Sequence, residues 1–406
     1  MNPANFSAVA SGPRIQPRIL FLVTEDWYFW LHWVGLARAA RDAGFEVSLA
    51  TRVQHHGHEI AQQSIRLFPI GLLRRSLNPI REFRALLELI HLYRSEKPDI
   101  VCQVAFKPIL YGSVAARFAG IPAVVNIFAG LGYAYTSRSI KTKLLRLFLR
   151  TGLKTACGRA GSMTVFQNEE DRVQLIRDRT VQESQTRVIR GTGVDIERFQ
   201  PMGSSSLKPI VLLACRMLWD KGVGEFVEAA RLVKQAEPDV RFVLAGRCDE
   251  ENPASIEPKR LYKWQEERVI EWWGHRDDMP AVMGSAAIVV LPSYREGLPV
   301  SLVEAAACGK AIVATNVPGC RDVVRHGVNG ILVPPKDAGA LAEAIMTLLN
   351  NETLRDELGR CGRDIAVKEF SAGAVIGQTL ALYRELVYGN PRDSLSEKTF
   401  MSGASR

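Results

Sequence analysis

Four side chains stand out as able to do chemistry together. Glu296 and Glu304 lie eight positions apart in PSYREGLPVSLVEAAACGKAIVATNVPGCRDVV (292–324), and Arg216 and Lys221 lie close together in CRMLWDKGVGEFVEAARLV (215–233). Two cations at the end of a strand would neutralise a diphosphate and stabilise charge developing on it as a leaving group, work otherwise often given to a metal ion. Two carboxylates at that spacing would reach hydroxyl groups of the same ligand. The bland alternatives are a solvated loop residue at 296, a surface helix residue at 304 and a pair of exposed surface charges at 216 and 221. Spacing alone does not choose between them, and the elements around each cluster must.

The apolar run AAIVVLP ends where the acidic cluster begins, Gly297 permits a tight turn, Pro299 suits a first helical position, and VSLVEAAAC reads as helix until Gly309. A helix start at the C-terminal end of a parallel strand is where α/β folds bind phosphates. Arg216 and Lys221 likewise follow a strand, PIVLLAC, and precede a helix.

Short β-branched runs alternate with helix-length segments along the chain: RILFLV (18–23), EVSLAT (46–51), DIVCQV (99–104), AVVNIF (123–128), PIVLLAC (209–215), RFVLAG (241–246), AAIVVLP (286–292) and AIVAT (311–315). Near-continuous apolar strands of this kind belong to parallel sheets covered on both faces. The pattern restarts after a Gly-, Ser- and Pro-rich stretch, GTGVDIERFQPMGSSSLKP (191–209). The expectation is α/β, with two Rossmann-like domains whose parallel sheets face across a cleft: 1–190, a linker at 191–208, and 209–370. SAGAVIGQTLALYRELVYG (371–389) reads as a final helix and residues 390–406 as a loose tail.

A length of 406 residues, 47% of them hydrophobic and 23% charged, excludes disorder as the default. Seven scattered cysteines with no Cys-x-x-Cys pair point to neither a disulfide framework nor a zinc cluster and suit a reducing cytoplasm. The N-terminus does not read as a secretion signal, and no segment reaches the roughly 18 uncharged apolar residues of a membrane span. HHGH (55–58) reads as a solvated loop rather than a metal site. Gly130-Leu131-Gly132 follows a strand, but Tyr135 occupies the third glycine's place in a dinucleotide fingerprint, which argues against a nicotinamide cofactor.

Charge is uneven. Residues 1–200 hold 27 Lys and Arg against 16 Asp and Glu, whereas the remainder holds 25 against 27. The first half therefore faces something anionic. Within it, RSIKTKLLRLFLRTGLKTACGRAG (138–161) sets Lys141, Arg146, Arg150 and Lys154 among leucines, a basic amphipathic pattern suited to an anionic membrane surface; a surface helix with a wet basic face is the alternative.

The second half resembles glycosyltransferase family 4, retaining enzymes of the GT-B fold. Its marks are an Arg…Lys pair after the first strand of the C-terminal domain and a Glu, seven residues, Glu motif. They stand here as CRMLWDKG, VLAGR (243–247), WWGHRDDMP (272–280), PSYREGLPVSLVEAAACGKAIVATNVPG and NGILVPP (329–335). The resemblance implies that Arg216 and Lys221 grip a donor diphosphate, that Glu296 contacts the donor sugar, and that Glu304 hydrogen-bonds the ribose. Gly297 and Leu298 would offer backbone amides, with Gly246 and His275 also in the donor site. It further implies no metal cofactor, uridine as the usual donor base, and a final helix that packs back on the N-terminal domain.

In the first half, TEDWYFWLHWVGLARAARDAGFEVSLATRV (24–53) and FKPILYGSVAARFAGIPAVVNIFAGLGYAYTS (106–137) resemble the subgroup that adds N-acetylhexosamines to undecaprenyl-diphosphate-linked saccharides of bacterial surface glycans. Acceptor contacts would come from His32, Lys107, Gly130 or Gly132, although a lone His among Trp30, Leu31 and Trp33 is more often packed core. The expected partners are a nucleotide sugar, a polyprenyl-diphosphate saccharide and an anionic membrane, with no nucleic acid. The expected location is cytoplasmic, peripheral on the inner face of the plasma membrane. A nucleotide-sugar epimerase of the same fold and a non-catalytic scaffold of a glycan assembly complex are the rival readings.

Overall fold

A computed structural model describes residues 16–74, 76, 78–131, 150–202, 208–249 and 252–389. The apolar runs are strands, and most of them are buried almost end to end. In the first sheet they are β1 (Arg18–Glu25), β2 (Glu46–Arg52), β3 (Arg66–Pro69), β4 (Ile100–Val104), β5 (Ala123–Phe128), β6 (Ser162–Phe166) and β7 (Thr186–Val188). The second sheet contains β8 (Ile210–Ala214), β9 (Arg241–Ala245), β10 (Glu271–Trp272), β11 (Ile288–Leu291), β12 (Ala311–Thr315) and β13 (Gly330–Val333).

The strand orders are β3-β2-β1-β4-β5-β6-β7 and β10-β9-β8-β11-β12-β13. β1 pairs in parallel with β2 and β4, β2 with β3, β6 with β7, β8 with β9 and β11, β9 with β10, and β12 with β11 and β13. Parallel strands need crossover connections, and helices supply most of them. Both sheets are therefore doubly wound, and each has a point where the order reverses: between β1 and β4, and between β8 and β11. At such a switch point the flanking connections diverge to opposite faces and leave a crevice at the strand C-termini.

By contacts the chain forms two compact units: residues 1–125 with 380–406, and residues 126–379. The core of the first includes Leu20, Leu22, Leu89, Tyr93 and Val101. Tyr383, fully buried on the helix Ala372–Tyr388, places its ring 6.3 Å from Phe45 and donates its hydroxyl to the Cys102 thiol at 3.3 Å.

In the second unit, Val211, Leu213, Phe226, Phe242, Val290, Leu302 and Val313 pack in one core around the second sheet. The stretch 191–200 is pinned to this unit. Val194 exchanges backbone hydrogen bonds with Phe370 and Ala372, both at 2.8 Å, and the Arg363 guanidinium donates to the carbonyls of Phe199, Ala307 and Ile196. Residues 390–406 lie outside the described residues.

Candidate active site

β8 ends at Ala214, and the chain behind it is steered by two glycines. Gly246, at φ +147°, would put a Cβ 1.8 Å from the Cys215 carbonyl oxygen, so only glycine lets the ends of β8 and β9 meet. Gly222, at φ +73°, would put one 2.1 Å from the Pro292 carbonyl oxygen. That second approach lays the loop after β8 on the end of β11, and the Tyr294 amide seals it by donating to the Asp220 carbonyl at 3.0 Å. Lys221, last residue of the short turn Trp219–Lys221, is delivered to the switch point.

There it meets Glu296. The Lys221 ammonium donates to both carboxylate oxygens, at 2.5 Å and 2.7 Å, and the buried Ser293 hydroxyl donates to Oε1 at 2.6 Å. Ser293 is held in turn by Thr315, whose hydroxyl donates to its carbonyl at 2.5 Å. Glu296 is only 9% exposed, and its carboxylate is oriented by three hydrogen bonds from two groups. Oε2 receives a single donor among these, which leaves it lone-pair capacity for a hydroxyl.

The loop is closely packed on both sides. A Cβ on Gly319 would lie 2.7 Å from that of Glu296, and one on Gly297 would lie 2.5 Å from the Ala129 carbonyl oxygen. Gly130, at φ +111°, faces the Gly297 amide just as tightly. Leu298 is nearly buried, Pro299 caps the helix Val300–Ala307, and Glu304 follows one turn in. Glu304 is half-buried and its carboxylate has no hydrogen bond or ion pair among the described residues; burial pushes it up to about 7, with Arg198 drawing it partway back.

Arg216 sits near this corner but is paired elsewhere, its guanidinium donating to Asp249 at 2.6 Å. Both it and Lys221 oppose the rise that burial imposes on the Cys215 thiol, pushed up to about 12. Two cations and a fixed carboxylate thus occupy the C-terminal end of β8 and β11, the place where this topology binds phosphate-bearing ligands.

A sequence profile described as "Glycosyl transferases group 1" matches residues 208–351, which contain this whole corner, and a second, "Glycosyl transferase 4-like", matches residues 18–159. The chain is a glycosyltransferase, with a 4-like domain ahead of a group 1 domain. Among curated relatives of this glycosyltransferase, the N,N'-diacetylbacillosaminyl-diphospho-undecaprenol alpha-1,3-N-acetylgalactosaminyltransferase of Campylobacter jejuni is 29% identical over 365 residues, spanning 87% of this chain and 94% of the relative. The UDP-Gal:alpha-D-GlcNAc-diphosphoundecaprenol alpha-1,3-galactosyltransferase of Escherichia coli is 25% identical over 84% and 90%. Of solved structures, Anabaena Alr3699/HepE in complex with UDP and glucose superposes with a TM-score of 0.70 at 19% identity, covering 89% of this chain and 97% of that one. Sucrose-phosphate synthase of Thermosynechococcus elongatus gives 0.75 at 21% over 92% and 100%. The fold of this glycosyltransferase is GT-B.

The structure brings together Lys221, Glu296, Gly297 and Gly130, with Leu298 beside them. Gly246 serves the strand ends through its carbonyl, which accepts the Trp272 indole N–H at 2.9 Å. His275 is exposed and pairs with Asp277 at 3.2 Å. In the other unit, Lys107 spends three donors on the carbonyls of Leu73 and Ser76 and the Glu82 carboxylate, at 2.6, 2.8 and 2.9 Å. A lysine so committed is a structural clamp in this geometry, which leaves an acceptor role without a free donor. His32 is half-buried with its ring 4.8 Å from that of Tyr28. Gly132, Lys141 and Arg146 lie outside the described residues; Arg150 and Lys154 are exposed on the helical stretch 150–157. The HHGH loop is tied by its backbone: the fully buried Asp26 carboxylate accepts the amides of Gln54, His55 and His56 at 2.7, 2.7 and 2.9 Å. Burial would raise Asp26, yet these bonds and that from Trp27 hold it below the usual carboxylate range.

Sequence reasoning passed over Asn168, Asp171, Ser293 and Arg295. Asn168 and Asp171 are buried, and Asp171 is ion-paired to Arg295, the neighbour of Glu296. The signal available was Asn168-Glu-Glu-Asp171, a side-chain N-cap with three acids in the first helical turn.

Proposed function

We propose that this glycosyltransferase moves a hexose or N-acetylhexosamine from a uridine diphosphate donor to a polyprenyl-diphosphate-linked saccharide, with retention of anomeric configuration and without a metal ion. The observation that carries the reading is the Lys221–Glu296 pair at the β8/β11 switch point. Lys221 and Arg216 supply the positive charge that the departing diphosphate requires, Arg216 turning from Asp249 to do so. Glu296 accepts a hydroxyl of the donor sugar at Oε2, and Glu304, with no partner of its own, accepts from the ribose.

In the transfer step the bond from the anomeric carbon to the diphosphate oxygen breaks as the acceptor hydroxyl forms a new bond on the same face. The hydroxyl's proton passes to the departing diphosphate oxygen, so no protein base is needed. Amides at the start of the helix Val300–Ala307, unpaired within the helix by construction, add to the phosphate's hydrogen bonds. The acceptor class is supported by the two relatives above, whose names specify undecaprenol-linked diphosphate substrates. Among the described residues no helix is long and apolar enough to cross a membrane. On this reading the lipid-borne acceptor brings the enzyme to a membrane face.

The test is a panel of nucleotide sugars incubated with polyprenyl-diphosphate saccharides, with and without a chelator. Acceptor-dependent release of nucleoside diphosphate that survives chelation supports the reading. Conversion of donor alone to its epimer would replace it with the epimerase reading, and loss of transfer on chelation would remove metal independence.

A further inference from the structure

The helix Pro79–Glu96 buries one face and leaves the other apolar as well. Its inward residues, Ala85, Leu89 and Tyr93, recur at helical spacing and belong to the core of the first unit. Outward, Ile80 is 63% exposed, Phe83 61% and Leu87 49%, spaced three and four apart so that they line one stripe. Arg94 in the last turn of the helix donates to the carbonyl of Phe118, which is 62% exposed on the neighbouring helix Phe106–Ala119. Nothing in folding explains three large apolar side chains turned to water on a helix whose other face already fills the core.

The charges beside the stripe are mostly positive, Glu88 being the exposed exception. Arg81 and Arg84 are exposed and carry no carboxylate partner among the described residues. The acids of the same helix are committed elsewhere: Glu82 to Lys107, Glu88 to the Gly71 amide at 2.8 Å and Glu96 to Arg66. An apolar stripe edged by free guanidiniums fits an interface in which acyl chains lie behind anionic headgroups, and the helix can lie flat there with its side chains sunk by several ångströms.

We infer that Ile80, Phe83 and Leu87, edged by Arg81 and Arg84, form the surface by which this protein docks on an anionic lipid bilayer. The inference deepens the membrane-face reading above and assigns the contact to a helix outside the basic segment 138–161.

The test is co-sedimentation of the full chain with vesicles of phosphatidylcholine alone and with phosphatidylglycerol. The expected result is binding only to the anionic vesicles. Joint Phe83→Ser and Leu87→Ser substitution should weaken it by about ten-fold or more, from the apolar area lost. Arg81→Glu with Arg84→Glu should weaken it by at least about five-fold per arginine, and more in low salt. All four side chains are exposed, so urea midpoints should stay at the wild-type value. Undiminished binding by both variants would overturn the docking surface and leave the membrane reading standing. Failure of the wild type to bind any vesicle would overturn both. A dimer in light scattering that the Phe83/Leu87 variant abolishes would assign the stripe to a second copy of the chain and overturn the lipid proposal.

Discussion

Asn168 reaches from the end of β6 to the loop that carries Glu296, its Nδ2 donating to the Gly297 carbonyl at 2.8 Å. Its Oδ1 meanwhile accepts the Asp171 amide at 2.7 Å and caps the helix Glu169–Arg177. The two bonds fix the amide's orientation, since reversing it would face like against like at both ends. Asp171 closes the bracket by pairing with Arg295.

Removing that amide should be felt at the active site. Asn168→Ala leaves a Gly297 carbonyl without its donor and a helix without its cap, costing about 1–3 kcal/mol of stability. As a positioning residue Asn168 should affect turnover more than donor KM, with kcat falling about 10- to 100-fold as the Glu296 loop drifts. Urea melts and steady-state kinetics check both. A stability loss with unchanged kcat would reduce Asn168 to a structural cap.

Lys221→Ala removes a cation that Glu296 orients and leaves that carboxylate, 9% exposed, without its ion-pair partner. A single preorganised charge-stabilising group is worth about 100- to 1,000-fold in kcat. Turnover of the variant with its best donor is the measurement. Near-normal activity would remove Lys221 from the chemistry.

Much of this was legible in the primary structure because fully buried strands leave an unmistakable trace. AVVNIF (123–128) and AIVAT (311–315) match β5 and β12 residue for residue, and the turn glycines locate the loops after β8 and β11. β3, β6, β7, β10 and β13 were not read as strands. β3 is an edge strand with exposed ends that stops at Pro69, β6 alternates Ser162 and Thr164 with apolar residues, and β7 has three residues. The site followed the same rule. Lys221 and Glu296 announce themselves by type and position, whereas the bracket of Asn168, Asp171 and Arg295 joins residues over a hundred positions apart, which no local pattern encodes. The clamp at Lys107 was illegible for the same reason: its three partners come from a loop and a helix that become its neighbours only on folding.

Glu304 gives a pH signature. Its carboxyl stands near 7 in the folded chain because burial disfavours the charge, against an ordinary value of 4.5. Below about 4.5 both folded and unfolded chains carry the proton, so the group costs nothing. As pH rises from 4.5 to about 7 the unfolded chain gives up its proton while the folded chain keeps it, so stability falls across that window and levels off above it. Glu304→Gln should therefore be more stable than wild type at pH 8, with the advantage shrinking as pH drops toward 5. Urea midpoints at the two pH values decide it, and a pH-independent difference would contradict the burial account. If Glu304 binds ribose, the same variant should hold nucleoside diphosphate about ten-fold less tightly.

The central claim is that a diphosphate held at the end of β8 and β11 leaves on the same face that the acceptor attacks. The most direct measurement is the anomeric proton coupling of the transferred sugar by NMR, in product formed from a donor of known α configuration. The account predicts an α-glycoside. A β-glycoside would require attack from the opposite face and would contradict it.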